Sequence, residues 1–336
     1  MTDTKYTRKD FVSDQEVKWC AGCGDYSILA AVTNALPEIG VDKKDIVFVS
    51  GIGCSSRFPY YVDTYGVHSL HGRANPIATG IKVSHPNLSV WITTGDGDSM
   101  AIGGNHFIHL LRRNIDVNLI MFNNQIYGLT KGQYSPTTPL GQKTKTSPHG
   151  TIEHPFKPAE LVMGAEGTFY ARTVDTNPKM MKEIFIEAAK HNGASVVEVL
   201  QNCVIFNNNT HHNITDKEVR DDNQIYLHHG EKMIFGKDSN KGIVLEGLKL
   251  KVVTVGENGV TEADILTHDA KDKDGTLHYL LSRMSLPDFP VAMGVIRSVD
   301  AAVYNESLEA QIAEVKNLSK IKNVSDLVNS GETFTL

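Results

Sequence analysis

Residues 88–124 read LSVWITTGDGDSMAIGGNHFIHLLRRNIDVNLIMFNN, and the fold is decided in this stretch. The run Leu88 to Thr94 is short and apolar, as a buried strand is, and it stops at Gly95-Asp96-Gly97-Asp98. Apolar residues at Met100, Phe107, Ile108, Leu110 and Leu111 then predict a helix over Ser99 to Arg113, its start lying against that turn. Val117 to Phe122 predicts the next strand, closed by Asn123-Asn124. This order puts a carboxylate and an amide at the ends of two adjacent strands, where doubly wound sheets bind ligands. Glycines beside Asp96 let backbone approach a phosphate. Magnesium takes oxygen ligands, typically one or two carboxylates together with phosphate oxygens. Asp96 and Asn124 therefore suit a magnesium diphosphate, with the start of the helix near Ser99 facing its negative charge. A Gly-Asp-Gly alone is weak ground, since Gly-Asp pairs are common in turns. The order of elements around it carries the reading.

Working outward, Ile46 to Ser50 predicts a strand entering the tight turn Gly51-Ile52-Gly53. Phe169 to Val174, a helix over Lys179 to His191, and Val196 to Leu200 repeat the rhythm. Such alternation predicts an α/β fold, a doubly wound and mostly parallel sheet with helices on both faces. Between Ser135 and Pro158 the composition shifts to Pro, Thr, Gly, His and Lys, a long irregular segment of the kind that is functional or mobile. From about Asn207 onward the chain is polar and less periodic, with a charged run at Asp269 to Asp274. The expected organisation is a main domain over residues 1–210 and a polar C-terminal extension over 211–336, packed on that domain or on a partner.

Bulk properties narrow the class. The 336 residues are 40% hydrophobic and 21% charged, as in an ordinary globular protein. A net charge of −6 gives no broad attraction for nucleic acid or an acidic membrane, so neither is expected as a partner. Met1 to Asp14 lacks the apolar segment of a secretory signal, and no apolar run approaches the roughly 18–20 residues that span a bilayer. The expected location is the cytoplasm.

The four cysteines are Cys20 and Cys23, spaced C-x-x-C, then Cys54 in a Gly-rich turn, and Cys203 far downstream. In a cytosolic chain this set points to metal or redox chemistry rather than disulfides. C-x-x-C is frequent in zinc sites, yet those usually pair two close knuckles, whereas Cys54 and Cys203 are isolated. Spacing leaves both zinc and an iron–sulfur cluster open.

The segment GDGDSMAIGGNHFIHLLRRNIDVNLIMFNNQIYGLTKGQ resembles the GDG…NN motif of thiamine-diphosphate enzymes. Within that superfamily the chain is most similar to the beta subunits of 2-oxoacid:ferredoxin oxidoreductases. The likeness takes in WCAGCGDY, GIGCSSRFPYY, HSLHGRANPIATGIK and VVEVLQNCVIFN, roughly residues 17 to 210. It implies thiamine diphosphate and Mg2+, with Asp96 and Asn124 as side-chain ligands of the metal and Ile126 giving its backbone oxygen. It implies that Gly97, Asp98, Gly128, Leu129 and Thr130 touch the cofactor, and that Ile52, Gly53, Cys54, Ser55 and His71 line it. Cys20, Cys23, Cys54 and Cys203 would ligate a 4Fe–4S cluster, for which thiolate is the expected ligand.

SSRFPYY is like the 2-oxoglutarate branch of the family. There Arg57 would pair with the substrate's second carboxylate and, with His71, act in the catalytic site. The implied reaction is oxidative decarboxylation of 2-oxoglutarate with coenzyme A to succinyl-CoA, carbon dioxide and reduced ferredoxin. Pyruvate or a broader 2-oxoacid range is the runner-up. The glutamate that thiamine enzymes place on the aminopyrimidine is expected on a partner alpha subunit, with the active site between the two chains. Two rival readings stand beside this one. The first is a non-redox thiamine enzyme component with structural zinc. The second is a non-catalytic phosphate-ligand module, disfavoured by the absence of a P-loop and of a G-x-G-x-x-G opening a helix after a strand.

Overall fold

The computed structural model describes residues 5–332 together with Phe334; residues 1–4 of the N-terminal stretch, and 333, 335 and 336 of the extension, lie outside the described residues. Its strands are β1 (Ile46–Ser50), β2 (Tyr65–His68), β3 (Ser89–Gly95), β4 (Asn118–Asn123), β5 (Phe169–Val174), β6 (Ser195–Leu200), β7 (Gln224–Leu227), β8 (Ile234–Phe235), β9 (Lys241–Glu246), β10 (Lys249–Thr254) and β11 (Val291–Ser298). Eight of them form one sheet in the order β2-β1-β3-β4-β6-β5-β11-β7. The first six of that order run parallel. β11 pairs antiparallel with β5 and parallel with β7. The residues after 210 therefore add two strands to the main sheet. They also form a small three-stranded sheet, β10-β9-β8.

The central strands β1, β3, β4, β5 and β6 are buried on both faces, which is why they read as unbroken apolar runs rather than alternating ones. Side-chain parity assigns the faces. Ile46, Phe48, Ile120, Phe122, Val197 and Val199 pack on one side, beneath the helices Asp25–Ile39 and Pro178–Lys190. Val47, Val49, Leu119, Met121 and Val196 point the other way. On that face lie Ala74–Ser84, Gly104–Arg112 and Pro158–Gly164, together with Ile243 and Phe235 from the small sheet. Each fully buried Ile, Val or Phe side chain contributes about 1.5–3 kcal/mol over its exposed state. The helix Asp25–Ile39 stops at Gly40, whose φ of 74° is the left-handed cap that glycine adopts cheaply.

One expectation fails in detail. The helix foreseen over Ser99 to Arg113 is two helices, Asp96–Met100 and Gly104–Arg112. Ala101 leaves helical geometry with ψ of −110°. The chain there must let another loop pass: a Cβ on Gly103 would lie 2.4 Å from the Asp98 carbonyl and 3.1 Å from Gly72 Cα. Close backbone approach, not side-chain periodicity, breaks the helix. Among the described residues no helix is long and apolar enough to cross a membrane.

Candidate cofactor and metal site

Parallel strands bring β1, β3, β4 and β6 to one carboxyl edge, so the segments after Ser50, Gly95, Asn123 and Leu200 are neighbours. β3 turns directly into the short helix that begins with Asp96, which is 1% exposed. Its Oδ2 accepts hydrogen bonds from Ser135 Oγ and Thr137 Oγ1, each at 2.5 Å. Burial pushes this carboxyl up to about 6, against the pull of those two hydroxyls. Thr137 Oγ1 also contacts Asn123 Oδ1 at 3.1 Å, and Asn123 Nδ2 donates to Glu198 Oε1 at 2.7 Å. Glu198 pairs with Arg172 on the neighbouring strand at 2.8 Å.

Gly97 cannot carry a side chain, because its Cβ would sit 2.3 Å from the Tyr127 ring. Tyr127 in turn donates from its hydroxyl to the Gly97 carbonyl at 3.0 Å. Asp98 ties three loops together. Its Oδ1 accepts from the Ile52 amide at 3.1 Å, the Gly72 amide at 2.7 Å and His71 Nδ1 at 2.7 Å. Its Oδ2 accepts from Thr94 Oγ1 at 2.9 Å. Gly51 makes room for this carboxylate, since a Cβ there would lie 1.9 Å from Asp98 Oδ2. Gly53 has a φ of 119°, a backbone that favours glycine, and Ser55 is buried just beyond it.

After β4, Asn124 donates from Nδ2 to Gln201 Oε1 at 2.9 Å and accepts at Oδ1 from the Ile126 amide at 3.2 Å. Gln125 lies in the left-handed region, with φ of 57°. Its carbonyl accepts from Thr138 Oγ1 at 2.7 Å, so the loop at Ser135–Thr138 holds both sides of the turn. The oxygen-rich set of Asp96, Asn124 and the Ile126 backbone is the chemistry of a hard cation such as magnesium. Gly51 and Gly97 are glycines because the Asp98 carboxylate and the Tyr127 ring occupy the space a Cβ would need, which brings both loops close to the Asp96 turn. The donor set fits a magnesium diphosphate.

All four cysteines are free and line one cavity of about 260 Å³. A Cβ on Gly128 would lie 3.4 Å from Cys203 Sγ and 3.7 Å from Cys54 Sγ, so the chain after Asn124 passes close beside both thiols. Burial, together with the Asp25 charge, raises Cys54 to about 12 and Cys23 further still. Asp25, fully buried at the same cavity, is pushed up to about 7, and its Oδ2 has no hydrogen-bond partner. As thiolates, Cys23 and Cys54 would be repelled by one another's charge and by Asp25, and a cationic metal centre offsets that cost. Among the described residues, no three His, Cys, Asp or Glu come close enough together to hold a single ion.

The remaining expected residues divide between the two places. Ile52, Gly53, Ser55, His71, Gly97 and Asp98 gather around the Asp96 turn. Gly128 and Leu129 line the cysteine cavity, and so does Arg57, whose Nη1 donates to the Lys18 carbonyl at 2.7 Å. Thr130 is exposed and hydrogen-bonds Gln133. Sequence reasoning missed Ser135, Thr137 and the chain Asn123–Glu198–Arg172 behind them. Their one signal is the run Ser135-Pro136-Thr137-Thr138, three hydroxyls at the head of the irregular segment.

The family described as "Thiamine pyrophosphate enzyme, C-terminal TPP binding domain" matches residues 51–199. The 2-oxoglutarate oxidoreductase subunit KorB of Mycobacterium tuberculosis is 45% identical over the whole of this chain and 90% of its own length. The 2-oxoglutarate synthase subunit KorB of Archaeoglobus fulgidus is 49% identical over 55% of this chain and 69% of its own. Among solved structures, the 2-oxoglutarate:ferredoxin oxidoreductase of Magnetococcus marinus, with 2-oxoglutarate, coenzyme A and succinyl-CoA bound, superposes with a TM-score of 0.78. That match has 30% identity and covers 98% of this chain and 97% of the other.

Proposed function

The chain belongs to the beta subunits of the 2-oxoacid:ferredoxin oxidoreductases, and from that premise we propose that it carries the catalytic cofactor and the first electron acceptor for oxidation of 2-oxoglutarate. The reaction converts 2-oxoglutarate and coenzyme A to succinyl-CoA, carbon dioxide and one proton, while two electrons pass singly to two ferredoxins. One observation carries the reading. The strand ends that place Asp96 and Asn124 also place Cys54 and Cys203, and Gly128 links the two sets. Relatives named for 2-oxoglutarate over the full chain length favour that substrate.

Thiamine diphosphate supplies, when bound, the carbanion stabilisation that decarboxylation of a 2-oxoacid requires. The chain's own residues hold and aim it. Asp96 and Asn124 would ligate Mg2+ by their side chains and Ile126 by its carbonyl, with Ser135 and Thr137 fixing the Asp96 carboxylate. Asp98 holds the loops of Ile52, Gly53, Ser55 and His71 against the Gly97 turn, which would shape the cofactor's bed. Cys20, Cys23, Cys54 and Cys203 would hold a 4Fe–4S cluster. Thiols that ring a cavity, rather than meeting at a point, suit a cubane better than one zinc ion. Arg57, at the edge of that cavity, would receive the distal carboxylate of the substrate. Residues 1–210 would carry this chemistry, with 211–336 as the extension. Four unpaired thiols suit the reducing cytoplasm.

An alpha subunit would complete the site with the glutamate for the aminopyrimidine. The test compares the chain alone with the chain co-expressed with that subunit, each assayed anaerobically with 2-oxoglutarate or pyruvate, coenzyme A and methyl viologen. Viologen reduction by the complex alone, faster with 2-oxoglutarate and lost on removal of Mg2+ by chelation, is the expected result. Turnover by the chain alone, or equal use of pyruvate, would overturn the corresponding part.

A further inference from the structure

β6 ends at Leu200, and the next residue, Gln201, is buried between the two candidate sites, 1% exposed. Its side-chain amide meets three partners. Nε2 lies 2.6 Å from the Asn202 carbonyl and 3.3 Å from Cys23 Sγ, while Oε1 lies 2.9 Å from Asn124 Nδ2. One residue therefore touches an expected magnesium ligand with one end and an expected cluster ligand with the other.

A side-chain amide has a donating end and an accepting end, and its neighbours decide which points where. The Asn202 carbonyl can only accept, so the end of Gln201 that faces it is the nitrogen. Oε1 is then an acceptor, which obliges Asn124 to present its own nitrogen to it. The Asn124 oxygen is left facing the Ile126 amide at 3.2 Å, with a second lone pair to spare. Magnesium takes oxygen ligands, so this is the orientation a metal ligand needs. At the other end of Gln201, the second N–H of Nε2 points to Cys23 Sγ. Hydrogen bonds to ligand sulfurs help to set the potential of an iron–sulfur centre, because they stabilise the negative charge that reduction adds.

The backbone on either side is held without this side chain. The Gln201 amide donates to the Asn123 carbonyl at 3.0 Å, and Asn207 Nδ2 donates to the Asn124 carbonyl at 2.8 Å. A Cβ on Gly24 would lie 2.9 Å from Gln201 Cγ, so the C-x-x-C turn rests directly on Gln201. We propose that Gln201 is a positioning residue for both centres: it turns the Asn124 oxygen to the cation and donates an N–H to the Cys23 thiolate. The proposal rests on reading Asn124 as a magnesium ligand and Cys23 as a cluster ligand.

The test uses the anaerobically purified, co-expressed complex as wild type, Gln201→Met and Gln201→Glu. Met keeps the length and loses both hydrogen bonds. Glu keeps an acceptor for Asn124 and loses the donor to Cys23. Two quantities are read besides turnover: the Kd for Mg2+ at saturating thiamine diphosphate, by calorimetry, and the cluster's midpoint potential, by EPR-monitored redox titration. In Gln201→Met the Kd should rise about tenfold, and the potential should fall by the equivalent of about a tenfold change in the reduction equilibrium, as for loss of one hydrogen bond to a charged group. In Gln201→Glu the Kd should stay within about threefold of wild type while the potential falls. An iron-loaded Met variant with both quantities unchanged would overturn the proposal and make Gln201 a packing residue. A change in one quantity alone would overturn the link between the centres. If the Met variant loses its iron, an iron-loaded Glu variant at the wild-type potential would overturn the proposal in its place. Wild type without iron and sulfide, or without Mg2+ binding, would instead remove the reading of the two sites beneath it.

Discussion

Two hydroxyls converge on one oxygen of Asp96, and both come from a loop some forty residues downstream. A hydrogen bond to a charged group is worth about 1.5–3 kcal/mol. Thr137→Val should therefore weaken binding of Mg2+ and thiamine diphosphate about tenfold or more, and Thr137→Ser should stay near wild type. Isothermal titration of each variant with both ligands decides it. Equal affinities for the valine and serine variants would show that the hydroxyl does not orient Asp96. Asp96, Gly97 and Asn124 were legible in the sequence because turn chemistry and metal chemistry are written in adjacent residues. Ser135 and Thr137 were not, since a contact across an irregular loop leaves no period to read. Gly51 was read as part of a turn, yet its reason for being glycine is the Asp98 carboxylate packed against it.

Strands were the most readable elements. Buried on both faces, β1, β3, β4, β5 and β6 stand out as apolar runs, each within a residue or so of its observed bounds. Inside one of those runs lies an exception, Glu198, with Arg172 directly opposite on β5. Burial alone would raise the Glu198 carboxyl; the Arg172 charge and bonds from Tyr170 and Asn123 hold it below the usual range. Removing one partner of such a pair strands the other in a dry interior, so Glu198→Ala should cost about 3–5 kcal/mol in chemical denaturation. A loss under about 1 kcal/mol would mean that the pair is solvated in solution. β7 and β11 were not foreseen: β7 has four residues, and β11 carries Gly294 and a register shift between Val295 and Arg297 that interrupts its pattern. The split at Ala101 escaped for a related reason, because the apolar spacing of Gly104–Arg112 is helical on its own and says nothing of the loop crossing before it.

Across the whole molecule, the C-terminal part has its own polar core. His278 is fully buried, accepting at Nδ1 from Arg297 at 2.9 Å and donating from Nε2 to the Asp269 carbonyl at 2.7 Å. His268 donates to the Val295 carbonyl at 2.9 Å. Burial holds both imidazoles below their ordinary value of 6.5. A histidine with a depressed folded pKa adds stability that is present above about 6.5 and lost as pH falls, because the unfolded chain binds the proton first. His268→Gln/His278→Gln should therefore show a smaller fall in melting temperature than wild type between about pH 7 and about pH 5. Parallel falls would exclude these two residues as the source. Buried carboxyls such as Asp25 act with the opposite sign, which is why the comparison is between variants and not a single profile.

At this same scale stands the claim on which the functional account depends, that one edge of the sheet holds a thiamine site and an iron–sulfur site together. Iron and acid-labile sulfide, assayed on the anaerobically purified complex beside its absorbance spectrum, test it most directly. The account predicts about four of each per chain and a broad absorption near ~400 nm that bleaches with 2-oxoglutarate and coenzyme A. A colourless protein holding zinc or no metal at its four cysteines would contradict it.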